Sequence, residues 1–339
     1  MRYRKNILAT LAYYDVLDFP LKEEEIFRFL VNLKRLMPSE KLPAPSFDEV
    51  KAELEELKKD GSVNFSDGFY FLFERDYLVP LRLRRERIAK EKWKKFLQAV
   101  QLLKFLPYIR VIFASGSLAI NNTEELGDLD VLIIVKNGRI WLSRLLISGL
   151  LSLVGMRRKY NEKVAPDKIC LNHYITDKSL SISFHSVYTA QTYINLRPVF
   201  VSNPQIISEF YKANSWLLEY LFNFDSFLKD LKEPDFINCH AQKRRGLGQG
   251  FLAKVVSRIG EVVLNSKLGN WLESWAKSWQ IKRIEKHRKQ DPPGGRVVYN
   301  DYYLEFHPGS VEKEIIEKYN QRLKKLGLEE LTLERDSGI

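Results

Sequence analysis

Two apolar runs, separated by a Gly-Ser turn and a pair of carboxylates, constrain this chain more than any other feature. They lie in residues 113–135, FASGSLAINNTEELGDLDVLIIV. The first run reads as a buried strand, Gly116-Ser117 as a turn into a short helix, and the polar residues after it as a loop. Asp128 and Asp130 open a second strand, whose apolar residues Val131 to Val135 carry it into a core. Alternate side chains of a strand share a face, so the two carboxylates are expected to point the same way. Adjacent anions repel, and a hard divalent cation such as Mg²⁺ or Mn²⁺ offsets that repulsion. The turn frees backbone N–H groups at a helix start, a natural seat for phosphate. Asp128 and Asp130 are therefore the candidate metal ligands, and Ser115, Gly116 and Ser117 the candidate nucleotide-binding residues. The competing reading is a hairpin-like turn bearing surface acids.

An apolar strand, Gly-Ser, a spacer of about ten residues and Asp-x-Asp in a second apolar strand resemble the DNA polymerase β-like nucleotidyltransferase superfamily. The resemblance covers about 100 residues, from Trp93 to Tyr193. It implies an α/β (α+β) fold with a small mixed β-sheet as nucleotidyltransferase core. It also implies transfer of an NMP from an NTP to an acceptor hydroxyl, assisted by two Mg²⁺ ions roughly 3.5–4 Å apart. Asp128 and Asp130 would bridge the ions, and Gly116 and Ser117 would hold the β- and γ-phosphates. The superfamily usually draws a third carboxylate from the next core strand. That strand is expected over 168–175, KICLNHYI, which contains no Asp or Glu. Asn172 holds a plausible catalytic position there, but its neutral oxygen can take no proton. Asp167 stands at the strand's edge and Asp177 past its end. His173 would face the other side of a regular strand, as a core or surface histidine.

Lys and Arg number 54 against 43 Asp and Glu, a net charge of +11, which favours a polyanionic partner or a nucleotide over a basic one. Cys170 and Cys239 are the only cysteines, with no CxxC pair, so the expected setting is a reducing cytoplasm. The most apolar run, 140–156, contains Arg144 and is short for a membrane span. It reads as a core helix, and no membrane partner is expected.

Three units are expected: residues 1–80, 81–205 and 206–339. The first has apolar spacing for helices from residue 5 and from Pro20. A third helix is capped by Ser46 and Glu49 and stopped at Gly61, and a hairpin turns at Asp67-Gly68. Three helices followed by a hairpin resemble a winged helix-turn-helix. The third helix exposes Asp48, Glu49, Glu53, Glu55 and Glu56, an acidic face that repels phosphates. Packing or protein contact is thus favoured there over DNA binding. Residues 76–104 form a basic helix, either a solvated connector or a wall for phosphates. A helix is expected over 184–194, and Arg197-Pro198 ends the second unit near 205.

The last unit reads as helical, with a strand or hairpin piece at 297–306. Residues 240–290 carry twelve Lys and Arg against three Glu. Trp271, Trp275 and Trp279 fall on one helical face. They read as a buried stripe, with a stacking platform for bases as the alternative.

Two functional classes follow. One is an enzyme, a nucleotidyltransferase whose acceptor is a small molecule, an RNA or a protein. The other is a regulatory protein, in which a reduced nucleotidyltransferase core senses nucleotide and the winged-helix-like unit contacts DNA or a partner.

Overall fold

The computed structural model describes residues 2–33, 42–160, 162, 164–230, 247–288, 296–307 and 311–328. Part of the proline linker, Cys239 and the final residues from 329 lie outside this set. The chain begins with three helices, α1 (Arg4–Val16), α2 (Glu23–Arg28) and α3 (Phe47–Lys59). Ser46 caps α3 as expected: its Oγ accepts from Glu49 N at 3.3 Å, and Glu49 Oε2 accepts from Ser46 N at 2.7 Å. Val50, Leu54 and Leu57 recur at helical spacing and are fully buried. The strands β1 (Asn64–Ser66) and β2 (Phe69–Phe71) pair antiparallel across Asp67 and Gly68. Both turn residues have positive φ, 51° and 83°, the backbone that a tight hairpin requires.

The helix α4 (Leu78–Leu103) leads into β3 (Ile109–Ala114), the one-turn helix α5 (Gly116–Ala119), β4 (Leu129–Val135), α6 (Ile140–Leu153) and β5 (Ile169–Thr176). A helix over Val187–Ile194 follows, then β6 (Arg197–Val201), β7 (Arg296–Tyr299) and β8 (Tyr303–His307). Six of these strands form one mixed sheet in the order β6-β3-β4-β5-β8-β7, with β4 and β5 as its parallel pair. The fold is mixed α/β, and no helix among the described residues is long and apolar enough to cross a membrane.

Both faces of the sheet are covered, which explains why β3 and β4 are apolar at every position except Arg110 and Asp130. Val111, Phe113, Leu132 and Ile134 pack toward α1–α3, the 187–194 helix and the terminal helix Glu312–Lys325. Ile112, Ala114, Val131 and Ile133 pack toward α4, α6 and the helix Lys267–Arg288. Asp128 and Asp130 continue the alternation of Leu132 and so belong to the first face.

Three expectations change. Arg197-Pro198 is not a break in the chain. It begins β6, which pairs antiparallel with β3 at the sheet edge, where a proline's missing N–H breaks no ladder. The hairpin piece near 297–306 is present, but it extends the core sheet: Glu305 on β8 pairs with His173 on β5. The tryptophan stripe is not buried. Trp271, Trp275 and Trp279 are 61%, 47% and 44% exposed, and Ala276, Gln280 and Ile284 form the inner face of that helix.

The basic helix α4 is neither a free connector nor an open phosphate wall along its buried side. Arg82 is bonded to Glu25, Glu86 and the Pro20 carbonyl. Lys92 is buried and donates to Glu125 O at 2.9 Å, Gly127 O at 2.7 Å and Asp167 Oδ1 at 2.9 Å. These bonds tie down the loop that delivers Asp128. Lys92→Met is expected to lower stability by about 2–4 kcal/mol, because it leaves buried acceptors unpaired. Chemical denaturation would measure the loss, and an unchanged midpoint would contradict this role.

Candidate functional site

The site grows from the end of β3. Ser115 is extended, with φ −130° and ψ −177°, and its N–H donates to the Asp130 carbonyl at 3.0 Å. Gly116 then turns the chain into α5 with φ +59°. A Cβ at Gly116 would lie 2.5 Å from Asp130 Oδ2. Glycine is thus required twice, for its backbone and for the carboxylate that lies against it. The first N–H groups of α5, Gly116 and Ser117 included, have no partner within the helix, and Gly116 itself lies against that carboxylate.

Gly116→Ala is expected to force the Asp130 side chain aside and to weaken Mn²⁺ binding by about tenfold or more. Isothermal titration of Mn²⁺ against both proteins would check this, and equal affinities would mean that the close approach is unimportant.

Donor atoms of Asp128, Asp130 and Cys170 lie within 4.8 Å of one another. Cys170 is brought in by the parallel register, in which Asp130 pairs with Cys170. Burial, followed by the charges of Asp130 and Asp128, pushes its thiol well up, so it stands there as a neutral S–H. Asp130 is half-buried, packed against the Gly116 turn and Asn172. This desolvation, ahead of the charge of Asp128, pushes its carboxyl up to about 6. A cation between the two carboxylates would relieve both penalties. Arg158 already pairs with Asp128 and reaches Cys170 Sγ at 3.9 Å. The guanidinium already supplies positive charge beside Asp128.

Asn172 approaches from β5. Its Nδ2 donates to Asp130 Oδ1 at 3.3 Å and meets His307 Nε2 at 2.8 Å. His307 Nδ1 lies 3.0 Å from Glu305 Oε1, so the proton belongs on Nδ1 and Nε2 accepts from Asn172. Glu305 also accepts from Tyr303 Oη at 2.8 Å and from Arg296 at 3.3 Å. Despite its burial, the bond to His307 and the charges around it bring its carboxyl down to about 2. A carboxylate therefore does sit on the neighbouring strand, but it is linked to Asp130 through His307 and Asn172.

The face that His173 takes depends on an irregularity. The β4–β5 register slips one residue between Asp130 and Leu132, so Leu132 pairs with His173. His173 therefore faces the same side as Leu132, not the opposite side expected of a regular strand. It is a core histidine, with Nδ1 3.3 Å from Tyr193 Oη and its ring 5.1 Å from Tyr303. Burial brings its imidazole down to about 4. Asp167 does not reach the acids, because Lys92 and Lys95 hold it. Asp177 accepts from Asn137 N at 2.9 Å on the far side of β5.

Sequence reasoning placed Ser115, Gly116, Ser117, Asp128, Asp130 and Asn172 in one stretch of the sheet, and the structure brings them together. It missed Arg158, Cys170, Glu305 and His307. Glu305-x-His307 on an apolar strand was a readable signal for two polar side chains on one face. Which sheet they joined was not readable. Comparison with models of protein families, with curated proteins and with solved structures finds no match to this chain.

Proposed function

We propose that this protein is a metal-dependent nucleotidyltransferase that moves an NMP from an NTP to an acceptor hydroxyl. The observation that carries the reading is the contact between Gly116 and Asp130, which joins the phosphate-seating turn and the carboxylate pair into one site. Backbone N–H groups of Gly116 and Ser117, with the Ser117 hydroxyl, would hold the β- and γ-phosphates. Asp128 and Asp130 would hold Mg²⁺ or Mn²⁺, which neutralises triphosphate charge and favours pyrophosphate departure. Arg158 would supply the second positive charge, so one ion serves where the superfamily pattern implies two. The acceptor oxygen would attack the α-phosphorus and lose its hydroxyl proton to solvent water, the bond to the bridging oxygen would break, and pyrophosphate would leave. Most of the acceleration comes from positioning and charge neutralisation.

The second reading is a nucleotide-binding regulator whose N-terminal, winged-helix-like unit contacts DNA or protein. It is favoured by one observation: Asn172, not a carboxylate, stands beside Asp130. Incubation with each α-labelled NTP, Mn²⁺ or Mg²⁺, and total RNA or lysate separates the two. Label transferred to an acceptor, and lost in Asp130→Asn, supports the enzyme. Nucleotide binding without transfer to any acceptor overturns it in favour of the regulator.

A further inference from the structure

The helix Leu247–Leu264 packs by one face and exposes an apolar one. Its inner face rests on the segment before β3. Gly260 approaches Pro107 closely enough that a Cβ would lie 3.4 Å from its ring. Ser257 Oγ donates to Leu106 O at 3.0 Å, and Glu261 accepts from Tyr108 N at 3.0 Å. At 100° per residue, Phe251, Ile259 and Val262 fall on the opposite side, and they are 71%, 58% and 76% exposed. The next helix, Lys267–Arg288, turns its three tryptophans outward as well. Trp275 and Trp279 stack on each other with ring centroids 6.3 Å apart. Large apolar side chains exposed in such number along two successive helices differ from the scattered single residues of an ordinary surface.

The charges around these side chains have one dominant sign. Two of the acids in this segment are turned inward: Glu261 pairs with Arg110, and Glu273 accepts from Trp141 N and Leu142 N. Lys254, Arg258, Lys267, Lys282 and Lys286 are exposed, and among the described residues of the segment only Glu285 opposes them on the surface. A second copy of the chain would bring cations against cations. Nucleic acid would meet aliphatic side chains that neither stack on bases nor pair with phosphates. An anionic bilayer matches both parts. Phe, Ile, Val and Trp enter the boundary between headgroups and acyl chains, while Lys and Arg meet the headgroups.

We propose that the 247–288 helices dock flat on an anionic membrane surface. Resting on a bilayer requires no spanning helix, and the docking is independent of the transfer chemistry.

The test is flotation of the full-length protein with vesicles, either of phosphatidylcholine alone or of equal parts phosphatidylcholine and phosphatidylglycerol. The protein is expected to float with the anionic vesicles and to bind phosphatidylcholine alone about tenfold less tightly or weaker. Val262→Asp together with Trp271→Ser is expected to abolish flotation. Both side chains are exposed, so the circular dichroism spectrum and the nucleotide chemistry should be unchanged. Failure to float with anionic vesicles, or flotation indifferent to the double substitution, overturns the proposal. A dimer in light scattering that the same substitutions dissociate would overturn it in favour of a second copy.

Discussion

Asp130→Asn is expected to reduce label transfer by about a thousandfold or more while leaving the protein at least as stable as before. A carboxylate pushed up to about 6 from 3.8 in the unfolded chain binds more protons folded than unfolded between those values. Its contribution to stability therefore falls as pH rises from about 4 to about 6, and the ionised form is opposed at neutral pH. Asparagine removes that penalty together with the metal ligand. A divalent cation should restore stability to the native protein above about pH 6 and have little effect on the variant. His173 and Glu305, both with lowered values, act in the opposite sense and lose stability on acidification. The difference in melting temperature between native and variant, with and without Mn²⁺ across pH 4–8, isolates the Asp130 contribution. If the variant melts lower at pH 8 without metal, or keeps transferring label, the carboxylate pair is not the cation site.

Arg158→Ala is expected to separate cation binding from chemistry. The guanidinium neutralises Asp128 and so competes with any ion drawn to the pair. Its removal leaves two uncompensated carboxylates, and Mn²⁺ affinity should rise by about tenfold. If Arg158 also stands in for a second ion, transfer should fall by about a hundredfold or more although the metal is held more tightly. Tighter Mn²⁺ binding with undiminished transfer would reduce Arg158 to a packing partner. Weaker binding would place it among the residues that shape the metal site. Arg158→Lys tests geometry separately from charge, since an ammonium cannot reproduce the planar fork that sets Nη1 on Asp128 and Cys170 and Nη2 on the Glu162 carbonyl.

The parts legible in the sequence were those governed by local rules. The capping box at Ser46 and Glu49, the Asp67-Gly68 turn and the helix of 140–153 each follow from a few adjacent residues. The site's first half was legible for the same reason. Gly116 and Asp130 are separated by one short excursion of chain, and a turn followed by a returning strand brings them face to face. The tryptophan stripe shows the limit of such reading. Its periodicity correctly placed three side chains on one side of a helix, but periodicity cannot say whether that side meets protein or solvent.

The sequence by itself determined an apolar strand pair with a Gly-Ser turn and two acids on one face, because side-chain alternation and turn chemistry act within a few residues. Only the tertiary structure decided what surrounds those acids. The one-residue slip between β4 and β5 brings His173 onto the face of Asp130 beside Asn172. The hairpin from residues 296–307 carries His307 and Glu305 to the same edge. Arg158 meets Asp128 across thirty residues of chain. Strand order and register depend on how distant segments pack together, and local propensity contains no record of which distant segment arrives.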